Sequence, residues 1–202
     1  MARARVVVLV SGSGTNLQAL LDASADPAYP AEVVAVGSDI LGIPALDRAE
    51  TAGLESFVVA PDQHPSRSVW DLALADAVAV HLPDLIVLAG FMRLVGTVFL
   101  ERFPNRVINT HPALSPAFAG MEAPRQALEY GVKVTGCSIF VVDEGVDTGP
   151  IVAQAAVPVH DDDDVDRLHA RIKEQERPLL VRAVSDLVTR PHRIDGRKVV
   201  WT

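Results

Sequence analysis

Short runs of apolar residues alternate along this chain with longer segments in which apolar residues recur at helical spacing. This alternation is typical of a mostly parallel sheet with helices on both faces. Too little chain separates the last two apolar runs for a crossover helix, so we expect them to pair antiparallel at an edge of the sheet. The apolar runs predict strands at residues 5–10, 32–38, 56–59, 84–88, 106–110, 134–142 and 151–159.

The sequence therefore predicts an α/β fold, in which a Rossmann-like, mostly parallel twisted sheet of about seven strands carries helices on both faces and has an antiparallel edge. One covering helix is indicated before the fourth strand, where apolar residues recur every four positions and Pro83 ends the stripe. These positions are Trp70, Leu74, Val78 and Leu82.

A second helical stripe occupies residues 164–190 and contains Pro178. Because proline lacks the backbone N–H that a helix interior uses, we expect a kink or break at this residue. The apolar positions of the stripe are Leu168, Ile172, Leu179 and Leu187.

Composition limits the class of protein. With 202 residues, of which 49% are hydrophobic, the chain fits one domain over residues 1–202. No apolar run reaches the roughly 18 residues of a membrane span, and no signal peptide is recognisable, so we expect a cytoplasmic protein without a membrane partner. The single cysteine, Cys137, excludes an intrachain disulfide and is interpreted as a small apolar residue of its strand.

The charge of the chain bears on its ligands. A net charge of -8 argues against a general nucleic-acid surface, which needs clustered lysine and arginine. Any anionic ligand must therefore be held by a local site.

A glycine loop between the first strand and the next helix is the first candidate for such a site. Gly12 and Gly14 permit a tight turn with exposed amides, and a helix that begins near Thr15 offers unpaired N–H groups to an anion. The loop is therefore interpreted as a phosphate cradle. A glycine-rich turn in which Thr15 or Asn16 merely caps the helix is the alternative.

Two other nucleotide motifs compete for the same loop. A dinucleotide fingerprint would use Asp39, at the end of the second strand, as its ribose-binding acid, but Leu17 stands where the third glycine belongs. A P-loop is excluded because no Gly-Lys-Ser/Thr follows the loop.

A polar strand end carries the strongest chemical signal. Asn109 and His111 stand two apart at the carboxyl edge of the sheet, so their side chains can converge on one site. Asp147 lies in the polar turn between the two antiparallel strands and can reach His111 if those strands return beside it. Taken singly, His111 could be a hydrogen-bonded strand-end residue and Asp147 an ordinary turn residue.

Four segments of the chain together resemble the phosphoribosylglycinamide formyltransferase family, and the resemblance extends over nearly the whole chain, roughly residues 5–184. The resemblance implies the formyltransferase fold and transfer of a formyl group from 10-formyltetrahydrofolate, as cosubstrate, to the amine of glycinamide ribonucleotide in purine (IMP) biosynthesis. The four segments are Ser-Gly-Ser-Gly-Thr-Asn-Leu-Gln from Ser11, Leu-Ala-Gly-Phe-Met-Arg from Leu88, Ile-Asn-Thr-His-Pro from Ile108, and Asp-Glu-Gly-Val-Asp-Thr-Gly-Pro from Asp143.

The same resemblance implies roles for individual residues. Its catalytic residues are Asn109, His111 and Asp147. Its binding residues for the acceptor are Gly14, Thr15, Asn16 and Glu176. Its folate-binding residues are Met92, Arg93, Leu94, Val95, Asn109, Val146 and Asp147.

The chain departs from the family pattern at three places. Residues 113–120 read Ala-Leu-Ser-Pro-Ala-Phe-Ala-Gly, where such proteins often have Leu-Leu-Pro and then Pro-Gly. Lys173 stands where some members carry a neutral amide, and Pro178 follows close after Glu176.

The implied reaction is addition of an amine to a formyl carbonyl, which needs oxyanion donors and a route for protons. Asn109 and a protonated His111 can donate to the oxyanion, and Asp147 can hold the imidazolium. No metal is required. The acidic residues 161–164 after His160 could suggest a divalent cation, but we interpret them as N-cap and dipole partners of the last helix.

Other functions remain open from the sequence. A formyltetrahydrofolate deformylase would use the same three residues with water as acceptor, and usually has a further N-terminal domain. A methionyl-tRNA formyltransferase would need a C-terminal RNA-binding domain and a basic surface. The glycine loop with Asp39 leaves a nucleotide-binding module as a third alternative, and either a monomer or a homodimer is compatible with the sequence.

Overall fold

The computed structural model of the chain describes residues 2–202. Its strands are β1 (Ala4–Val10), β2 (Ala31–Ser38), β3 (Glu55–Val58), β4 (Leu85–Leu88), β5 (Val107–His111), β6 (Val134–Val141), β7 (Ile151–Pro158), β8 (His192–Asp195) and β9 (Lys198–Trp201). Its α-helices are α1 (Thr15–Ser24), α2 (Pro44–Thr51), α3 (Arg67–Ala79), α4 (Thr97–Arg102), α5 (Ala123–Tyr130) and α6 (Val165–Thr189), and a short 3-10 helix spans Pro61–Gln63.

All of these strands join one sheet in the order β3-β2-β1-β4-β5-β6-β7-β9-β8. The first five in this order are parallel, and β6 runs antiparallel to both β5 and β7. The predicted mostly parallel α/β sheet and the antiparallel pairing of β6 with β7 are therefore confirmed.

The strand count and the position of the edge need correction. The described sheet has nine strands rather than about seven, and β8 forms the edge where β7 was expected. The additional β8 and β9 form a hairpin in which Asp195 pairs with Lys198, and Gly196 at φ 58 takes the first turn position. A glycine at that position is a hairpin signal, but two four-residue strands are too short to show clear alternation.

The alternation of side chains along β1 divides the core into two layers. Val6, Val8 and Val10 face a cluster that includes residues of α1 and α6, whereas Val7 and Leu9 face a cluster built on α3 and α4. Since every one of these five valine and leucine side chains is at least 99% buried, both faces of the sheet exclude water.

Helix α3 is shorter than its apolar stripe predicts. Trp70, Leu74 and Val78 are buried as expected, but Leu82 lies beyond the helix with φ 47 and is 74% exposed. The residue before a proline avoids the α-helical region, so Pro83 removes Leu82 from the helix rather than merely following it.

Helix α6 continues through Pro178, so of the predicted kink or break the break is wrong, and the kink stays a prediction. The missing N–H of proline removes one bond of the helix, and the buried Ile172 and Leu180 on either side hold both halves against the core. No helix within residues 2–202 is both long and apolar enough to cross a membrane.

Candidate active site

A cavity of about 790 Å³ opens at the carboxyl ends of β1, β4 and β5. Parallel strands present their ends and the following loops to one edge of the sheet, which is where ligands of open α/β sheets bind. The glycine loop, the segment after β4, the end of β5, the turn between β6 and β7 and one face of α6 all line it. A cavity of this size suits one or two small organic ligands.

Asn109, His111 and Asp147 meet at this cavity. Nδ1 of His111 lies 3.4 Å from Oδ2 of Asp147, and Nδ2 of Asn109 donates to Oδ1 of the same carboxylate at 3.5 Å. The antiparallel return of β6 beside β5 brings the turn to His111, as the sequence predicted. Asp147 adopts a left-handed backbone at φ 54, a conformation that aspartate tolerates better than most residues.

The backbone of the loop after β5 closes around the same groups. Nε2 of His111 lies 2.8 Å from the carbonyl oxygen of Phe118, and the N–H of Gly120 donates to Oδ2 of Asp147 at 2.7 Å. Both ring nitrogens of His111 therefore face an oxygen. A ring nitrogen that carries a hydrogen can donate it to the oxygen that it faces.

The residues of the glycine loop line the cavity. Gly14 is the N-cap of α1 at φ 70, and no side chain caps the helix, so the capping alternative for Thr15 or Asn16 is wrong. A Cβ at Gly14 would lie 2.7 Å from Cβ of Ala45 in α2, whereas a Cβ at Gly12 would meet nothing within 4 Å. The two glycines thus serve different purposes: Gly14 lets two helices pack, and Gly12 leaves space above the loop.

Asp39 is engaged within the protein. Its buried carboxylate accepts from the Ser11 hydroxyl at 2.5 Å and from Nε of Arg93 at 2.9 Å. Ser11 in turn accepts from the N–H of Met92 at 2.8 Å, so this network ties the glycine loop to the segment after β4. Asp39 is not among the described residues that line the cavity, which removes the support for a ribose-binding acid.

Glu176 projects from α6 into the cavity although Pro178 follows two positions later. Its carboxylate is buried and accepts from Nδ2 of Asn16 at 2.8 Å and from the hydroxyl of Thr110. Oδ1 of Asn16 is buried and has no hydrogen-bond partner. The sequence reasoning missed Thr110. Because side chains alternate along a strand, Thr110 lies on the same face of β5 as Ile108, and α6 covers that face. This alternation could have indicated that Thr110 contacts Glu176.

The side chains that were predicted to bind the folate also line this cavity. Val95 is buried, whereas Met92, Leu94 and Val146 are exposed, an unusual state for large apolar side chains. Arg93 keeps nearly half of its side chain exposed while it pairs with Asp39. An apolar rim of this kind suits a flat aromatic ligand.

The acidic residues before α6 cap this helix or pair with its arginines. Asp164 is its N-cap and accepts from the N–H of Arg167 at 2.8 Å, as predicted. Asp163 receives two hydrogen bonds from Arg171, which hold the pKa of its carboxyl well below the usual range. Within residues 2–202, no group of three or more histidine, cysteine, aspartate or glutamate side chains is arranged to hold a metal ion.

The sequence of the chain matches known formyltransferases. A sequence model of the formyl transferase family matches residues 4–184. A phosphoribosylglycinamide formyltransferase of Mycobacterium tuberculosis is 53% identical over 196 residues, which cover 97% of this chain and 90% of that protein. The chain belongs to the phosphoribosylglycinamide formyltransferase family.

Solved structures agree with this membership of the formyltransferase family. Glycinamide ribonucleotide transformylase 1 from Symbiobacterium toebii is 46% identical with a TM-score of 0.96, over 98% of this chain and 94% of that one. A formyltetrahydrofolate deformylase from Pseudomonas syringae pv. tomato shares the fold alone, at 24% identity and a TM-score of 0.91 over 98% of this chain and 66% of that one. The predicted formyltransferase fold is confirmed.

Proposed function

We propose that this formyltransferase moves the formyl group of 10-formyltetrahydrofolate to the amine of glycinamide ribonucleotide in de novo purine biosynthesis. The products are formylglycinamide ribonucleotide and tetrahydrofolate. The observation that carries the proposal is the meeting of Asn109, His111 and Asp147 in one cavity with the glycine loop. The enzyme is proposed to act as one domain over residues 1–202 in the cytoplasm, as a monomer or homodimer, without a nucleic-acid or membrane partner.

The acceptor is proposed to bind along the glycine loop. Backbone amides at Gly14, Thr15 and Asn16 stand at the N-terminus of α1, where unpaired N–H groups and the helix dipole favour a phosphate. The Glu176 carboxylate, which lines the cavity, supplies acceptors for the sugar hydroxyls or the amine end. This arrangement supports a phosphorylated, polar acceptor.

The folate cosubstrate is proposed to occupy the other side of the cavity. The exposed Met92, Leu94 and Val146 offer apolar contact to its rings, with Val95 behind them. The guanidinium N–H groups of Arg93 that do not bond to Asp39 can donate to the folate. The cosubstrate supplies the formyl carbon; the protein supplies orientation and charge.

The proposed chemistry begins when the acceptor nitrogen attacks the formyl carbon and the carbonyl electron pair moves onto oxygen. Asn109 has a second amide hydrogen to donate to this oxyanion, and the imidazolium of His111 provides the second donor once the carbonyl of Phe118 is replaced by the formyl oxygen. Asp147 orients the imidazolium and accepts the proton that the attacking amine loses. A proton passes to the folate nitrogen, its bond to carbon breaks, and the oxyanion returns to a carbonyl.

The proposal is tested by following tetrahydrofolate formation in an absorbance assay with 10-formyltetrahydrofolate, with and without glycinamide ribonucleotide. We expect turnover that depends on the acceptor and saturates with it. Turnover that ignores the acceptor would instead support a hydrolase.

A further inference from the structure

Three segments that follow neighbouring strands meet at Asp39. Strand β1 lies between β2 and β4, and all three strands run parallel, so the chain leaves them at one edge of the sheet. Asp39 directly follows β2, the glycine loop begins at Ser11 after β1, and residues 89–95 follow β4. We call residues 89–95 the folate segment, since Met92 through Val95 are proposed to bind the cosubstrate.

The carboxylate of Asp39 bonds to both of the other segments. Oδ1 accepts from the Ser11 hydroxyl at 2.5 Å, and Oδ2 accepts from Nε of Arg93 at 2.9 Å. Only 1% of the Asp39 side chain is exposed, so water competes little for these bonds. Each carboxylate oxygen therefore holds one of the two segments.

Ser11 forms a direct link between the glycine loop and the folate segment. Its N–H donates to the carbonyl of Gly90 at 3.1 Å, and its hydroxyl oxygen accepts from the N–H of Met92 at 2.8 Å. The hydroxyl hydrogen is donated to Asp39, which leaves the oxygen lone pairs available to Met92. Asp39 thus fixes the orientation in which Ser11 binds the folate segment.

The folate segment depends on such bonds for its conformation. Residues 89–95 lie outside the helices and strands, between β4 and α4, and Met92 and Leu94 are 57% and 56% exposed. A loop of this kind loses conformational freedom when a ligand orders it. Because hydrogen bonds join it to the glycine loop, a ligand that orders one of these segments lowers the entropy cost of ordering the other.

We propose that Asp39 is a positioning residue that holds the glycine loop and the folate segment in one arrangement, so that each substrate strengthens binding of the other. This inference rests on the proposed function, which assigns the acceptor to the glycine loop and the cosubstrate to the folate segment. Asp39 is not among the described residues that line the cavity, so it acts through Ser11 and Arg93 rather than by contact with a ligand. Such coupling is reciprocal: the same factor applies to the affinity of either ligand in the presence of the other.

The test measures the Kd of tetrahydrofolate by calorimetry with and without saturating glycinamide ribonucleotide. Neither ligand carries a formyl group, so no transfer occurs during the titration. We expect the acceptor to lower this Kd by about 5-fold or more in the wild type, within the usual range of coupling between two sites. Asp39→Asn keeps the size of the side chain, but its amide nitrogen cannot accept a hydrogen bond where a carboxylate oxygen did. The coupling factor should therefore fall to about 1 in this variant.

Two matched variants separate this link from general support of the loop. Asp71 accepts from the N–H of Gly96 at 2.6 Å, next to the folate segment, and has no bond to the glycine loop within the described residues. We expect Asp71→Asn to weaken binding of tetrahydrofolate but to keep the coupling factor of the wild type. Asp47→Asn removes the charge of an exposed residue of α2 and should match the wild type in both Kd and coupling factor.

A coupling factor that survives in Asp39→Asn, or that is lost in Asp71→Asn, would overturn the inference. Urea unfolding checks that each variant is folded. Ser11→Ala removes only a hydroxyl group and should abolish the coupling as Asp39→Asn does, so it serves as the test if Asp39→Asn does not fold. A wild type that binds both ligands without coupling would refute this inference alone, whereas a wild type that binds neither would refute the proposed function as well.

Discussion

The imidazole of His111 and the carboxylate of Asp147 face each other, with Nδ1 lying 3.4 Å from Oδ2. The pair forms because β6 returns antiparallel beside β5 and the turn after it bends back over the strand end. Only 5% of the His111 side chain is exposed, so the negative charge of Asp147 acts on the ring with little screening by water. The carboxylate thus fixes the orientation of the ring, which is proposed to donate a hydrogen bond during formyl transfer.

Replacing Asp147 by asparagine tests the purpose of this charge. The substitution keeps the size of the side chain but removes both the anion and the acceptor for the amine proton. We expect kcat to fall by at least about 100-fold while both substrates still bind. Steady-state kinetics and calorimetry measure the two effects, with Glu144→Gln, which removes an exposed charge from the same turn, as the control. Near-normal kcat in Asp147→Asn would remove this carboxylate from the mechanism.

Asn109 and His111 should stabilise the same oxyanion in the transition state. We expect Asn109→Ala and His111→Ala each to lower kcat by about 100-fold or more, because their hydrogen bonds strengthen as the oxyanion develops. The double variant should lose less than the product of the two single losses. A fully multiplicative loss in rapid-quench measurements of the chemical step would show that the residues act on separate events.

Much of the fold and of the candidate site could be predicted from the sequence. The apolar runs locate β1 through β7 to within about one residue, because buried parallel strands have a strong local signal. Asn109 and His111 are adjacent on one face of a strand, so alternation alone brings them together. Their meeting with Asp147 depended on the antiparallel return of β6, which the short connection before β7 indicated.

Other features depend on tertiary contacts that local patterns do not carry. The hydrogen bonds of the Phe118 carbonyl with His111 and of the Gly120 N–H with Asp147 follow from the shape of a loop with three left-handed residues, Phe118, Gly120 and Glu122. Helix α6 continues through Pro178 because packing on both sides outweighs the local preference. The contact of the buried Asp39 with Arg93 likewise joins the chain after β2 to the segment after β4, across the end of β1 that lies between them.

The two glycines of the loop should respond differently to substitution. Gly14→Ala places a Cβ against Ala45 and at a positive φ, so we expect a loss of about 1–3 kcal/mol in the free energy of unfolding. Gly12→Ala meets open space and should leave stability unchanged while it weakens binding of the acceptor phosphate. Urea unfolding and acceptor titration separate the effects. Equal destabilisation in both variants would contradict the distinction.

Cys137 should resist modification in the folded enzyme. Its thiol is buried in β6, and burial together with the charge of Glu176 raises its pKa to about 12. Since the thiolate is the reactive form, and the folded pKa lies above its ordinary value, alkylation at pH 8 should be slow until the protein unfolds. Labelling with iodoacetamide followed by mass spectrometry, with and without urea, measures this. Rapid labelling without urea would show that the strand opens readily.

We propose that the enzyme delivers the formyl group to an amine anchored by its phosphate rather than to water. An anchor at the glycine loop would turn the attack of the amine into an effectively intramolecular step, and water would gain nothing from it. The most direct measurement follows a ¹³C-labelled formyl group from 10-formyltetrahydrofolate by NMR. We predict almost no formate without acceptor and one formyl amide per tetrahydrofolate when glycinamide ribonucleotide is present. Rapid release of labelled formate at a rate that the acceptor does not change would show that the enzyme is a hydrolase.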